Sequence, residues 1–307
     1  MAAERAEPKL ATGGPTTDAD RRMVVVTPTY APDLELFADL HESVLQCFPE
    51  DVRHLVIVNE GDIHLFRRFE GSRCVIVGVR DVLPGSVVPL PFSKLWLNLR
   101  HPVPPLRGWI LQQLVKLAIG EQLDERVIVL ADSDLVFIRP VTVETFTPGG
   151  RVRLYRLDHG IDESLTRHVR WHAVSHELVG LPAPPPPPLP DYVSSLNTWD
   201  RDVVRRMIRR VEDLAGRRWL ERVGKELHFS EWTLYGVYAD QCEGAKGVTL
   251  TSESLCHSVW GTDPLTVDGA AAELASVGPD DVAYMIGSKT RTPLSVRREA
   301  HARIFTS

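Results

Sequence analysis

The chain has 307 residues, 43% of them hydrophobic and 25% charged, a balance that excludes collagen-like, coiled-coil and wholly disordered chains. Lys and Arg number 35 against 41 Asp and Glu, a net charge of −6, so no overall positive field exists to hold nucleic acid. The apolar runs, Val127–Ala131 among them, fall far short of the roughly 20 residues that cross a bilayer, and no transmembrane segment is expected. Cys47, Cys74, Cys242 and Cys256 form no C-x-x-C pair and read as buried, reduced thiols.

Residues 1–22 are rich in Ala, Glu, Gly, Thr and Asp and lack the apolar core of a signal peptide, so they read as a disordered tail on a cytoplasmic protein. Met23 to Thr27 is a β-branched run stopped by Pro28, the pattern of a buried central strand. Asp33 is placed to cap a helix whose apolar positions Leu36, Phe37, Leu40, Val44 and Phe48 follow three-four spacing up to Pro49. His54 to Val58 and Cys74 to Val79 are further strands. Strand, helix, strand and strand open a doubly wound α/β sheet, whose ligands bind at the carboxyl ends of the strands.

Leu83 to Gly108 carries six prolines and reads as irregular, a long loop of the kind that serves function. Trp109 to Leu123 returns to helical periodicity, and the most apolar strand of the chain ends at Ala131, directly before Asp132-Ser133-Asp134. Leu181 to Pro190, with consecutive prolines from Pro184 to Pro188, supplies too few backbone donors for a helix or a central strand and reads as an exposed spacer or a docking segment. Arg201 to Leu214 is an amphipathic helix capped by Asp200. Its arginine face is read as solvated, with attraction to an anionic membrane surface as the alternative.

Two residues apart at the end of a strand, Asp132 and Asp134 project to one side and Ser133 to the other. Their hard oxygens suit Mg²⁺ or Mn²⁺, ions that keep positions for water and substrate phosphate. Two acids so close repel one another unless a cation compensates them. On the preceding helix Gln112, Gln113 and Lys116 share a polar stripe, either a solvent face or a phosphate contact. Neither a P-loop nor a G-x-G-x-x-G fingerprint is present.

Thr27-Pro28-Thr29-Tyr30, Gly108-Trp109 leading to Gln112-Gln113-x-x-Lys116, Ala131-Asp132-Ser133-Asp134, Trp199-Asp200-Arg201, Phe229-Ser230-Glu231-Trp232 and His257-Ser258-x-Trp260 together resemble nucleotide-sugar glycosyltransferases of the GT-A fold, in particular a poorly characterised bacterial group. The resemblance implies a single α/β domain over residues 23–307 with a mostly parallel, Rossmann-like central sheet. Residues 23–134 would form the nucleotide-sugar half and 135–307, with the proline-rich loop 181–190, the acceptor half. It implies transfer from a UDP-, GDP- or dTDP-linked sugar to a hydroxyl acceptor with Mn²⁺ or Mg²⁺. By the same likeness Asp132 and Asp134 are metal ligands and His257 a third. Thr27, Thr29, Tyr30, Gln112, Gln113, Lys116, Ser133, Ser288 and Lys289 form the donor set.

Several of these residues admit a plainer role. His257 alternates with Leu255 and Val259, the pattern of a satisfied core histidine. Glu231 is the first choice for a base that deprotonates the acceptor, with Asp263 and Asp240 behind it; following Ser230, it equally suits the first turn of a capped helix. A non-catalytic sugar-nucleotide scaffold, a metal-dependent phosphoesterase and a sugar-phosphate nucleotidyltransferase are the rival classes. The last would carry a glycine-rich basic loop where this chain has Thr-Pro-Thr-Tyr.

Overall fold

The computed structural model describes residues 23–91, 93 and 95–306, so the tail expected over 1–22 lies outside the described residues. The chain opens with β1 (Met23–Pro28), α1 (Leu34–Cys47), β2 (Arg53–Val58), α2 (Ile63–Phe66), β3 (Cys74–Gly78) and α3 (Val79–Val82). There follow β4 (Val87–Pro89), β5 (Trp96–Asn98), β6 (His101–Leu106), α4 (Gly108–Gln122), β7 (Val127–Ala131), β8 (Leu135–Phe137), α5 (Val143–Phe146), β9 (Val152–Tyr155), β10 (Leu157–Ile161) and α6 (Thr166–Val179). The remainder is β11 (Leu189–Asp191), β12 (Leu196–Asp200), α7 (Arg201–Ala215), α8 (Trp219–Val223), α9 (Glu231–Val237), β13 (Val248–Thr251), β14 (Cys256–Val259), α10 (Val267–Leu274), β15 (Ala283–Ile286) and α11 (Leu294–Thr306).

The central sheet has the order β12-β7-β1-β2-β3, parallel throughout except for β12. Its inner strands β7 and β1 are almost wholly apolar on both sides because both sides are covered. Val24, Val26, Ile128 and Leu130 enter one core with Leu114 and Val203, while Met23, Val25, Val127 and Val129 enter a second with Leu40 and Phe137. From β1 the chain steps outward through β2 to β3, then returns to lay β7 on the other side of β1. That reversal makes the carboxyl ends of β1 and β7 the place where an open α/β sheet leaves a ligand crevice. Beyond Asp134 the chain enters β8, which belongs to a separate small sheet ordered β14-β15-β8. None of the described helices is long and apolar enough to cross a membrane.

The stretch Leu83–Gly108 is more regular than its prolines suggest, for it folds as the antiparallel meander β4-β5-β6 with Trp96 buried. Pro102, Pro104 and Pro105 all fall in β6, an edge strand whose free side needs no backbone donors. The proline-rich loop is irregular over 181–188, whereas Leu189 and Pro190 enter β11, and both its ends are held by α6: His176 bonds the Pro182 carbonyl (2.6 Å) and His172 that of Pro190 (2.8 Å). Asp200 caps α7 through the Asp202 and Val203 amides. The arginine face of α7 is less free than its pattern implies. Arg205 donates to the carbonyls of Glu121 and Leu123, closing the end of α4, and Arg206 pairs with Glu243.

Two predictions come from this packing. Gly236 in α9 lies so close to Tyr192 that an added Cβ would sit 2.2 Å from its Cγ, and the Tyr192 hydroxyl is fixed on Asp240 (2.7 Å). Gly236→Ala should therefore cost about 3 kcal/mol in chemical denaturation, whereas Gly61→Ala, where nothing lies near, should stay within about 0.5 kcal/mol. The second concerns acid. Burial holds the His54 and His41 imidazoles below their usual range, His54 bonding Thr27 (2.9 Å) and facing His41 (3.0 Å), and holds His172 down to about 4. At these histidines the unfolded chain binds more protons than the folded one below about pH 6.5, so their contribution to stability is fully present above that pH and is lost as pH falls. His172 alone should remove on the order of 2 kcal/mol between pH 7 and 5, read as a falling denaturation midpoint that His172→Asn flattens.

Candidate functional site at the sheet reversal

The site is assembled where β1 and β7 end. Ser133 Oγ donates to Thr29 Oγ1 (2.8 Å), a buried bond that ties the two strand ends together across the crevice. Asp132, on the other side of the chain, has a side chain 57% exposed. Asp134 accepts a hydrogen bond from the Ser288 amide on Oδ2 (2.6 Å). Ser288 begins the turn after β15, and buried Arg297 pins that turn by donating to the carbonyls of Ile286, Gly287 (3.0 Å) and Thr292 (3.0 Å). Burial and the charge of Asp132 push the Asp134 carboxyl above its ordinary range, against the Ser288 amide and Arg297.

Lys116 closes the arrangement from α4. Its ammonium lies 3.1 Å from Asp132 Oδ1, 3.2 Å from Glu231 Oε1 and 4.2 Å from the centre of the Trp232 ring. Burial by itself would discharge it, but the two carboxylates outweigh that and hold its pKa above the usual value. One ammonium serving two acids leaves each acid short of charge. The Glu231 carboxyl is accordingly raised by its burial and by Asp132, despite Lys116. Gln113 Oε1 accepts the Glu231 backbone N–H (3.0 Å), and Ser230 Oγ caps the same helix through Thr233 N (3.4 Å).

Beside this charged group, a cavity of about 760 Å³ opens at the carboxyl ends of β1, β2 and β3 against α4. Tyr30, Asn59, Asp62, Trp96, Trp109 and Gln112 are among its walls. Its size and its mixed apolar and polar lining suit a small organic ligand.

Of the residues singled out from sequence, Asp132, Ser133, Asp134, Thr29, Gln113, Lys116, Glu231 and Ser288 come together here, with Tyr30 and Gln112 on the cavity wall and Lys289 exposed in the Ser288 turn. Others are placed elsewhere. Thr27 is fully buried and spends its hydroxyl on His54. His257 bonds Glu273 (3.0 Å) and stacks on Tyr284. Asp263 is exposed in the turn after β14, and Asp240 holds Tyr192 and Arg156. Glu231 is 3% exposed with one oxygen on Lys116, which is not the open setting in which a base meets an incoming hydroxyl. Sequence reasoning missed Arg297, for which no local pattern exists, and quoted Trp232 only within the Phe229-Ser230-Glu231-Trp232 motif without giving it a role. It also gave Asp33 the wrong task. That side chain makes no cap bond; burial and the charges of Asp134 and Asp132 raise its carboxyl to about 6.

The residues present fit a hard divalent cation. Asp132 and Asp134 offer carboxylate oxygens at the mouth of a strand, and the Asp134 and Asp33 carboxyls are raised by burial and, next, by the neighbouring aspartates, a repulsion that a cation would offset. Among the described residues no group of three or more His, Cys, Asp or Glu gathers to hold a metal. A cation on this pair would fill its other positions from water and ligand oxygens.

The ion pair supplies a test. Lys116→Met leaves Asp132 and Glu231 uncompensated and should cost about 3 kcal/mol. Glu231→Gln added to it should recover part of that loss, and a double-mutant cycle by denaturation should show a coupling of at least about 1 kcal/mol.

A family model described as a family of unknown function (DUF6492) matches residues 23–270. No curated protein matches the chain. Among solved structures, an active-site mutant of LgtC aligns over 92% of this chain and 95% of its own at 12% identity, with a TM-score of 0.47. Mouse xyloside xylosyltransferase 1, in its apo form, aligns over 89% of this chain and 99% of its own, also at 12% identity and a TM-score of 0.47. The family match takes in the central sheet, the Asp132-Ser133-Asp134 turn and α9, and on it the chain belongs to DUF6492.

Proposed function

We propose that the chain is a glycosyltransferase that moves a sugar from a nucleoside diphosphate sugar to a hydroxyl acceptor, with Mn²⁺ or Mg²⁺ held by Asp132 and Asp134. The observation that carries this reading is a pair of strand-end carboxylates at the reversal of a parallel sheet, linked through the Ser133–Thr29 bond to a 760 Å³ cavity that Thr29 helps to line. Tyr30 and Gln112 face the nucleotide, the tyrosine offering both a ring face and a hydroxyl. When bound, the cation supplies Lewis-acid neutralisation of charge on the diphosphate leaving group. Lys289, on the turn whose Ser288 amide holds Asp134, adds a cationic donor to the same group. Lys116 fixes Asp132. Glu231, bonded to that ammonium, is read as a residue that positions Lys116 rather than as the base. A two-metal phosphoesterase would require several more ligands than Asp132 and Asp134 bring together.

Thermal unfolding in the presence of UDP-, GDP-, dTDP- and CMP-linked sugars, each with Mn²⁺, Mg²⁺ or EDTA, tests the donor site, because a ligand of the folded state must raise its apparent stability. One nucleotide family should raise the midpoint, and EDTA should abolish the rise. Asp134→Ala should lose cation-dependent release of the nucleoside diphosphate by at least about 100-fold while the apo protein melts no lower, since a repelled charge has been removed. Full turnover in that variant would overturn the metal assignment.

A further inference from the structure

Trp109, a wall of the cavity and 39% exposed, does not stand alone. Its ring stacks on Trp171 of α6, with centroids 5.8 Å apart and planes at 27°. At their junction lies the guanidinium of Arg167, with Cζ 4.3 Å from the centre of the Trp109 ring and 5.0 Å from that of Trp171. Arg126, Arg206, Arg222 and Arg298 each meet a carboxylate. Arg167 is exposed, its guanidinium rests on the two indoles, and among the described residues no carboxylate pairs with it. The nearest acids in sequence do not neutralise it, for Asp162 is bonded to the Ser164 amide and hydroxyl and Glu163 forms no ion pair with it.

A guanidinium resting on aromatic faces keeps its flat fork of N–H donors free at the edge, the geometry that takes a phosphate or carboxylate with two bonds. The indoles limit its rotamers, so less freedom is lost when an anion arrives. The same cluster holds one more unanswered donor, since Trp171 Nε1 is buried with no acceptor. From these contacts we infer that Arg167, seated on Trp109 and Trp171 at the rim of the donor cavity, is a subsite for an anionic group on the acceptor, a phosphate or a carboxylate. The inference rests on the glycosyltransferase reading above and narrows its acceptor to negatively charged hydroxyl compounds.

The probes are glucose 6-phosphate, glucuronate and glucose, titrated by ligand-observed NMR against the full chain in EDTA, so that a cation on Asp132 and Asp134 plays no part. The wild type should bind one or both anionic sugars and bind glucose about tenfold more weakly or not at all. Preference for the phosphate or the carboxylate identifies the anion. Arg167→Gln should weaken the anionic probes about tenfold, and Arg167→Lys, which keeps the charge but not the fork, should restore only part of the affinity. Both variants should keep the cation-dependent melting shift given by the donor. Glucose bound as tightly as its anionic derivatives, no binding of either anion by the wild type, or unchanged binding in Arg167→Gln would each overturn the subsite. Loss of the donor shift in the wild type would instead overturn the glycosyltransferase reading itself.

Discussion

A single buried ammonium holds the site together. Lys116 comes from α4, Asp132 from the end of the next strand, β7, and Glu231 from the first turn of the distant α9, and the three share one positive charge. Taking that charge out of water is costly, and the two carboxylates with the Trp232 ring are what make it tolerable. The geometry is therefore narrow. Gln113 on the same helix face takes the Glu231 amide, so the start of α9 is fixed by both its backbone and its side chain.

The negative charge around that ammonium is not fully answered. Burial and the charges of Asp134 and Asp132 raise the proton affinity of Asp33, burial and Asp132 raise that of Asp134, and Arg297, which opposes the rise at both, has its own donors committed to backbone carbonyls. A fold selected for stability alone would not keep such a group at the mouth of its most apolar strand. On the proposed reading a cation would relieve that excess, and its affinity would then come from the protein's own electrostatics rather than from a complete cage of ligands.

Much of this was legible along the chain. β1 and β7 announce themselves as unbroken apolar runs because both faces of the sheet are covered, and the paired aspartates stand out because they follow such a run directly. Asp200 was readable as a cap since capping depends on the next few residues only. What stayed hidden depends on distant partners. Nothing near Arg297 in sequence shows that it pins the turn beneath Ser288, and nothing near His257 shows Glu273 beside it. Asp33 misled because its local pattern is that of a helix cap, whereas its energetics are set by its burial and by two acids about a hundred residues away. The meander of Leu83–Gly108 was obscured by prolines that an edge strand accommodates without loss.

The turn Asp132-Ser133-Asp134 is also the seam between two sheets, since β7 belongs to the large one and β8 to the small one. Each aspartate is thus steadied by a different body: Asp132 by α4 against the large sheet, Asp134 by the Ser288 turn that ends β15 of the small one. The separation between the two carboxylates is then set by how those bodies sit on one another, with the Ser133–Thr29 bond as the rivet between them. An ion gripped by both acids would act as a clasp across this seam, so that occupancy of the site and rigidity of the whole molecule rise and fall together.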